Sequence, residues 1–217
     1  AILRSKAIEG GWEVWCSHIE TPMTGNATWD TIDGIVYEEN GKFYLVVVHE
    51  FTSQADGIGS YEYIELKPDL SGVADGAQWH EMFKLTDASA DFKGLHVTDA
   101  PALRKNSNGD LIMLWSTNYH DYIVCQSVSS NGSITGDWSY VGNLYDAGES
   151  SNRWATMYST IGKTCLGLKD PAHSQYDAYP MSGGHPGFVE TPEGQLYMTL
   201  HIAHNEASRS ENAIPKR

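Results

Sequence analysis

The chain has 217 residues, of which 28 are acidic and 14 basic, a formal net charge of −14. That balance argues against nucleic acid or an anionic membrane surface as partner, because phosphates would be repelled, and no apolar run reaches the roughly 18 residues of a membrane-spanning helix. The length suits one all-β domain, expected over 1–217, and an aromatic share of 11% suits core packing or the apolar faces of a neutral ligand such as a sugar.

Residues 1–20 read as starting inside a strand. Ile8, Gly10 and Trp12 repeat the spacing of Ile134, Gly136 and Trp138, so this stretch is expected to be the outer half of a blade whose inner strands lie before Ala1. Residues 30–85 read as a complete repeat. Asp33 heads a first strand, Phe43 to Val48 form a second with an apolar run suited to burial on both faces, and Ser60 to Leu66 alternate as a third. Asp69, Ser71 and Gly72 make a turn, and His49 and Glu50 close the second strand.

Residues 97–145 repeat the pattern. Asp99 heads a short strand from Ala100 to Leu103, Arg104 to Gly109 form a polar turn, Asp110 to Trp115 a second strand, and Tyr122 to Val128 a third. From Asp146 to Ser182 a long loop rich in Gly, Ser and Tyr is expected, with a strand-like run around Thr156 to Leu168. His185 then opens the inner half of a third repeat, whose outer strands are expected to be absent before the polar tail. No long run carries a 3.6-residue apolar period, so helix content is expected to be low. Cys16, Cys125 and Cys165 show no metal or redox spacing and read as small buried hydrophobes.

Three copies of one strand pattern predict an all-β propeller of which about three blades are visible. In such a fold the heads of equivalent inner strands converge on the axis, which brings Asp33, Asp99 and His185 together. Two carboxylates and an imidazole in an acidic, aromatic-rich domain point to glycoside hydrolysis, where one carboxyl delivers a proton and another activates water. The plainer readings are a turn cap for each Asp, a turn histidine for His185 and core for the aromatics. The functional reading of His185 is a ligand, direct or through water, for a cation on the axis such as calcium.

The segments IDGIVYEENGKFYLVVVHEF, YIELKPDLSG, VTDAPALRKNSNGDLIMLWS, SITGDW and GGHPGFVETPEGQLYMTLH, in that order, resemble family 43 of the glycoside hydrolases, with HEF, TDAP and GGHPG nearest one bacterial branch. The resemblance implies a five-bladed β-propeller that removes arabinose, xylose or galactose from plant polysaccharides with inversion, as an arabinofuranosidase or xylosidase does. By that resemblance Asp33 is the carboxylate that positions the acid and tunes its pKa. Asp99 stands where the family places its general acid, a Glu before Gly-Pro. The arm is one methylene shorter here, so Glu50 is the alternative acid. His185 corresponds to the histidine at the central calcium and its waters. His49, Trp115, Tyr119 and His201 are expected to line the sugar pocket. The family's general base matches no segment and is expected on an inner strand before Ala1.

Three readings follow: a piece of a longer active enzyme completed by a second chain or domain, a glycan-binding module, or a scaffold. No organic cofactor is expected. A secreted or periplasmic location follows from the family's usual polysaccharide substrates.

Overall fold

The computed structural model describes residues 1–16, 25, 28–87, 96–119, 121–145 and 181–204. Within them the chain forms strands β1 (Ile2–Arg4), β2 (Glu13–Cys16), β3 (Thr31–Glu39), β4 (Lys42–His49), β5 (Ser60–Leu66), β6 (His80–Lys84), β7 (Asp99–Lys105), β8 (Leu111–Tyr119), β9 (Asp121–Ser129), β10 (Trp138–Tyr145), β11 (Met181–Glu190) and β12 (Leu196–His204). Two 3₁₀ turns, Phe51–Ser53 and Leu85–Asp87, are the only helical turns among the described residues. The strands assemble as two four-stranded antiparallel meanders, β3-β4-β5-β6 and β7-β8-β9-β10, flanked by the pairs β1-β2 and β11-β12. These are propeller blades, two whole and two halves.

Local sequence explains the blades. β3 and β4 join through Asn40-Gly41, both at positive φ (54° and 78°), the two-residue turn whose twist matches a hairpin. The β7–β8 turn is closed by Asn106, whose Oδ1 accepts the N–H groups of Asn108 and Asp110 at 2.9 Å each. The apolar run of β4 is buried on both faces, as its lack of polar alternation predicts. Tyr44, Val46 and Val48 face the second blade and join Tyr61, Phe83, Leu111, Met113, Trp115, Ile123 and Cys125 in the main core. Leu45 and Val47 turn the other way, with Ile64 and Leu66, and meet Ile2 of β1.

The third strand of the first repeat falls at Ser60–Leu66 as expected, and the Ile-x-Gly-x-Trp segments each enter an outer strand, β2 or β10. β6 was not legible: its five residues, HEMFK, bury only Met82 and Phe83, too short a pattern to carry a period. The loop expected over Asp146 to Ser182, with its strand-like run, and Cys165 lie outside the described residues, apart from Met181 and Ser182 at the start of β11.

Candidate functional site at the blade axis

The inner strands β3, β7 and β11 each break register against their neighbour once, between Ile32 and Ile35, Asp99 and Ala102, and Gly184 and Gly187. Each bulge holds one non-glycine residue in the left-handed region: Asp33 at φ 51°, Ala100 at 51° and His185 at 52°. This corrects the repeat alignment. Asp33 and His185 are equivalent to Ala100, and Asp99 stands one place earlier, level with Ile32 and Gly184. Nor do Asp33 and His185 head their strands; they sit inside β3 and β11, where the bulge re-aims a side chain that regular pleating would alternate.

The offset gives the two aspartates different work. The Asp33 carboxylate accepts the N–H of Ala100 at 2.9 Å, bridging β3 to β7. The carbonyl of that same peptide, that of Asp99, accepts the Tyr61 hydroxyl at 2.8 Å. The Asp99–Ala100 peptide is therefore held at both its carbonyl and its N–H, which fixes the backbone from which the Asp99 carboxylate projects. Blade two grips the third in the same manner: Ser116 Oγ accepts the N–H of His185 at 2.9 Å.

Glu50 follows β4 directly and donates its N–H to the carbonyl of Asp30 at 2.9 Å. Burial pushes its carboxyl above the ordinary range, and the negative charges of Asp99, Asp33 and Asp30, in that order, push it further. The structure thus brings three expected residues, Asp33, Glu50 and Asp99, into one electrostatic neighbourhood and adds Asp30. The Asp30 side chain accepts the Thr52 hydroxyl at 2.9 Å, and its N–H donates to Ser53 Oγ at 2.8 Å. A second acidic residue three places before Asp33 was the available sequence signal for it.

A cleft of about 560 Å³ runs between the inner strands, lined by Asp33, Ala100, Arg104, His185 and Phe188 among others. Arg104 pairs with Glu190 from β7 to β11. Asp33 is the residue common to this cleft and to the charges acting on Glu50.

Two expected pocket residues are corrected. Trp115 is fully buried, donates from Nε1 to Ser127 Oγ at 3.0 Å, and packs edge-on to Tyr61 within the core. A central strand's tryptophan has more apolar area to bury between blades than any rim position offers. His49 is only 5% exposed, bonded through Nδ1 to Glu62 at 2.8 Å and stacked on Trp29. Tyr119 and His201 stand in β8 and β12 opposite Asp121 and Gly184, and their side chains lie outside the described residues.

His185 is exposed on the cleft. Calcium takes six to eight oxygen ligands, and among the described residues no three His, Cys, Asp or Glu side chains are placed to hold a metal.

No protein-family model and no curated protein matches the sequence. Solved structures do. The endo-arabinase of Bacteroides thetaiotaomicron VPI-5482 aligns with a TM-score of 0.59 and 22% identity over 93% of this chain and 63% of its own. The xylan β-1,4-xylosidase of Bacillus halodurans C-125 gives 0.57 and 14% over 94% and 31%. A thermostable family-43 glycoside hydrolase gives 0.53 and 16% over 80% and 49%.

The fold is that of the family 43 glycoside hydrolases. The chain spans 31–63% of the length of these three structures, so it corresponds to part of such a propeller. The carboxylates around Glu50 arise from β3 and β7 and from Asp30, just before β3.

Proposed function

We propose that the chain is part of a family 43-type glycoside hydrolase that removes arabinose, xylose or galactose units from plant polysaccharide side chains or oligosaccharides, with inversion. The observation that carries this reading is the protonation bias of Glu50. Burial and three neighbouring carboxylates raise the Glu50 carboxyl, which is the direction a general acid needs, and general acid catalysis is commonly worth about 10²–10⁴-fold.

In this reading Glu50 gives its proton to the glycosidic oxygen as the bond to the anomeric carbon breaks and its electron pair goes to that oxygen. A water attacks the anomeric carbon from the opposite face and surrenders its proton to a base. Asp99, whose carbonyl is held by Tyr61, supplies the strongest of the three charges that raise the Glu50 carboxyl. Asp33 fixes the peptide after Asp99. In this reading the base comes from another inner strand facing the same axis. Polysaccharide substrates of this kind go with a secreted or periplasmic location.

The test is hydrolysis of aryl arabinofuranosides, xylosides and galactosides by the full chain, with the anomer of the released sugar followed by proton NMR. The inverted anomer appearing first supports the reading. Binding of the same sugars without hydrolysis supports a second one, a carbohydrate-binding propeller. The feature favouring that alternative is Asp99 itself, whose short arm stands where the family carries the longer Glu.

A further inference from the structure

Glu50 lies between the end of β4 and the 3₁₀ turn Phe51–Ser53, and both ends of that span lead to one buried carboxylate. Before Glu50, His49 Nδ1 meets Glu62 Oε1 at 2.8 Å. After it, Gln54 closes the 3₁₀ turn with its N–H on the Phe51 carbonyl, and its Nε2 donates to Ser60 Oγ at 2.6 Å. Ser60 Oγ in turn donates to the same Glu62 Oε1 at 3.1 Å. His49, Ser60 and Glu62 are 5%, 0% and 7% exposed.

Glu62 is costly where it stands. It faces the same side of the blade as Val47, Leu45 and Ile64, where an aliphatic residue would pack without desolvating a charge. The ring it holds is roofed by Trp29, stacked at 4.1 Å between centroids with planes 24° apart, and Trp29 leans on Trp79. Trp29 precedes Asp30, whose carbonyl takes the Glu50 N–H. The Glu50 backbone itself is tied to Asp30 through its N–H and to the N–H and hydroxyl of Ser53 through its carbonyl, while Glu62 holds the residues on either side, His49 directly and Gln54 through Ser60.

We propose that Glu62 is the positioning residue for Glu50, anchoring the span 49–54 from both sides through His49 and through Ser60 and Gln54. The proposal rests on the reading of Glu50 as proton donor. Glu62 touches no substrate. It keeps the Glu50 carboxyl half-buried against Asp99, Asp33 and Asp30, where a group freed to swing into water would lose the burial that holds its proton. Misplacement of a reacting group by about 1 Å costs on the order of 10²-fold in turnover.

The test is a ¹³C-NMR titration of the Glu50 side-chain carboxyl in the full chain, assigned by its loss in Glu50→Gln and run beside kinetics and a thermal melt. In Glu62→Leu the Glu50 midpoint falls toward the ordinary carboxylate range, and kcat drops about 10²-fold with KM little changed. In Glu62→Gln the side-chain oxygen still accepts from His49 and Ser60, so both properties are retained although the charge is gone. Ser60→Ala cuts only the Gln54 arm and gives a smaller fall, and it carries the test should Glu62→Leu not fold. A midpoint unmoved in the Leu and Ala variants overturns the positioning role and leaves the proton-donor reading standing. A wild-type midpoint already in the ordinary range overturns both.

Discussion

Asp33→Ala is the perturbation whose cost can be worked out most fully. The wild-type carboxylate accepts the Ala100 N–H at 2.9 Å, and Ala100 is 3% exposed. A hydrogen bond to a charged acceptor contributes about 1.5–3 kcal/mol, and its loss leaves a buried donor unsatisfied. Position 33 also sits at φ 51°, where an L-residue costs about 1–2 kcal/mol and Asp is better tolerated than Ala. Together these give a loss of about 2–4 kcal/mol, or a melting temperature lower by about 9 °C for a chain this long. Asp33→Asn keeps a side-chain oxygen and tolerates the left-handed backbone, so it should cost only about 1 kcal/mol. Urea unfolding of the full chain, followed by tryptophan fluorescence, measures both. Equal stability of the Ala and Asn variants, or an Ala variant as stable as wild type, would refute the claim that Asp33 joins the blades through this bond.

Three further outcomes follow from the geometry. Trp115→Ala should cost about 3–5 kcal/mol by melt, whereas Trp115→Phe should leave KM for any sugar unchanged, because the indole is core and not pocket wall. Glu50→Gln should raise the melting temperature near pH 7. A carboxyl raised in the folded state stabilises below its unfolded value near about pH 4.3 and loses that contribution as pH rises through the folded value, so the advantage of Gln should vanish in acid. Glu39 has the opposite sign: burial would raise it, but bonds from Ser133, Lys105 and the Ile134 N–H together hold it below the ordinary range. Its contribution is present above the unfolded value and lost as pH falls through the folded one, so Glu39→Gln should be destabilising above about pH 5 and neutral in strong acid.

The blades were legible because their signals are local. The Asn40-Gly41 turn and the two-sided apolar run of β4 require no knowledge of the rest of the chain, and the bounds of Ser60–Leu66 were readable too, although that strand is buried on both faces and does not alternate as its sequence suggests. The site was legible only in outline. Asp33, Glu50 and Asp99 could be named, but a bulge shifts side chains by one place without leaving a mark in an apolar pattern, so Asp99 was aligned with the wrong partners. His49 and Trp115 were placed at the pocket because they end strands or lie near their ends, yet burial depends on which blade packs against that end, and sequence spacing does not contain it. Glu62 escaped notice for a related reason. A Glu in an alternating strand looks solvated until the facing histidine is known.

The most direct test of the account is the pH–rate profile on a cleaved aryl glycoside for wild type, Glu50→Gln and Asp99→Asn, with a melt on each. With Glu50 as proton donor, Glu50→Gln abolishes turnover. Asp99→Asn keeps substantial turnover and moves the alkaline limb to lower pH, because the strongest of the charges raising Glu50 is gone. Turnover abolished by Asp99→Asn, with Glu50→Gln active and its alkaline limb in place, would contradict the account and make Asp99 the proton donor.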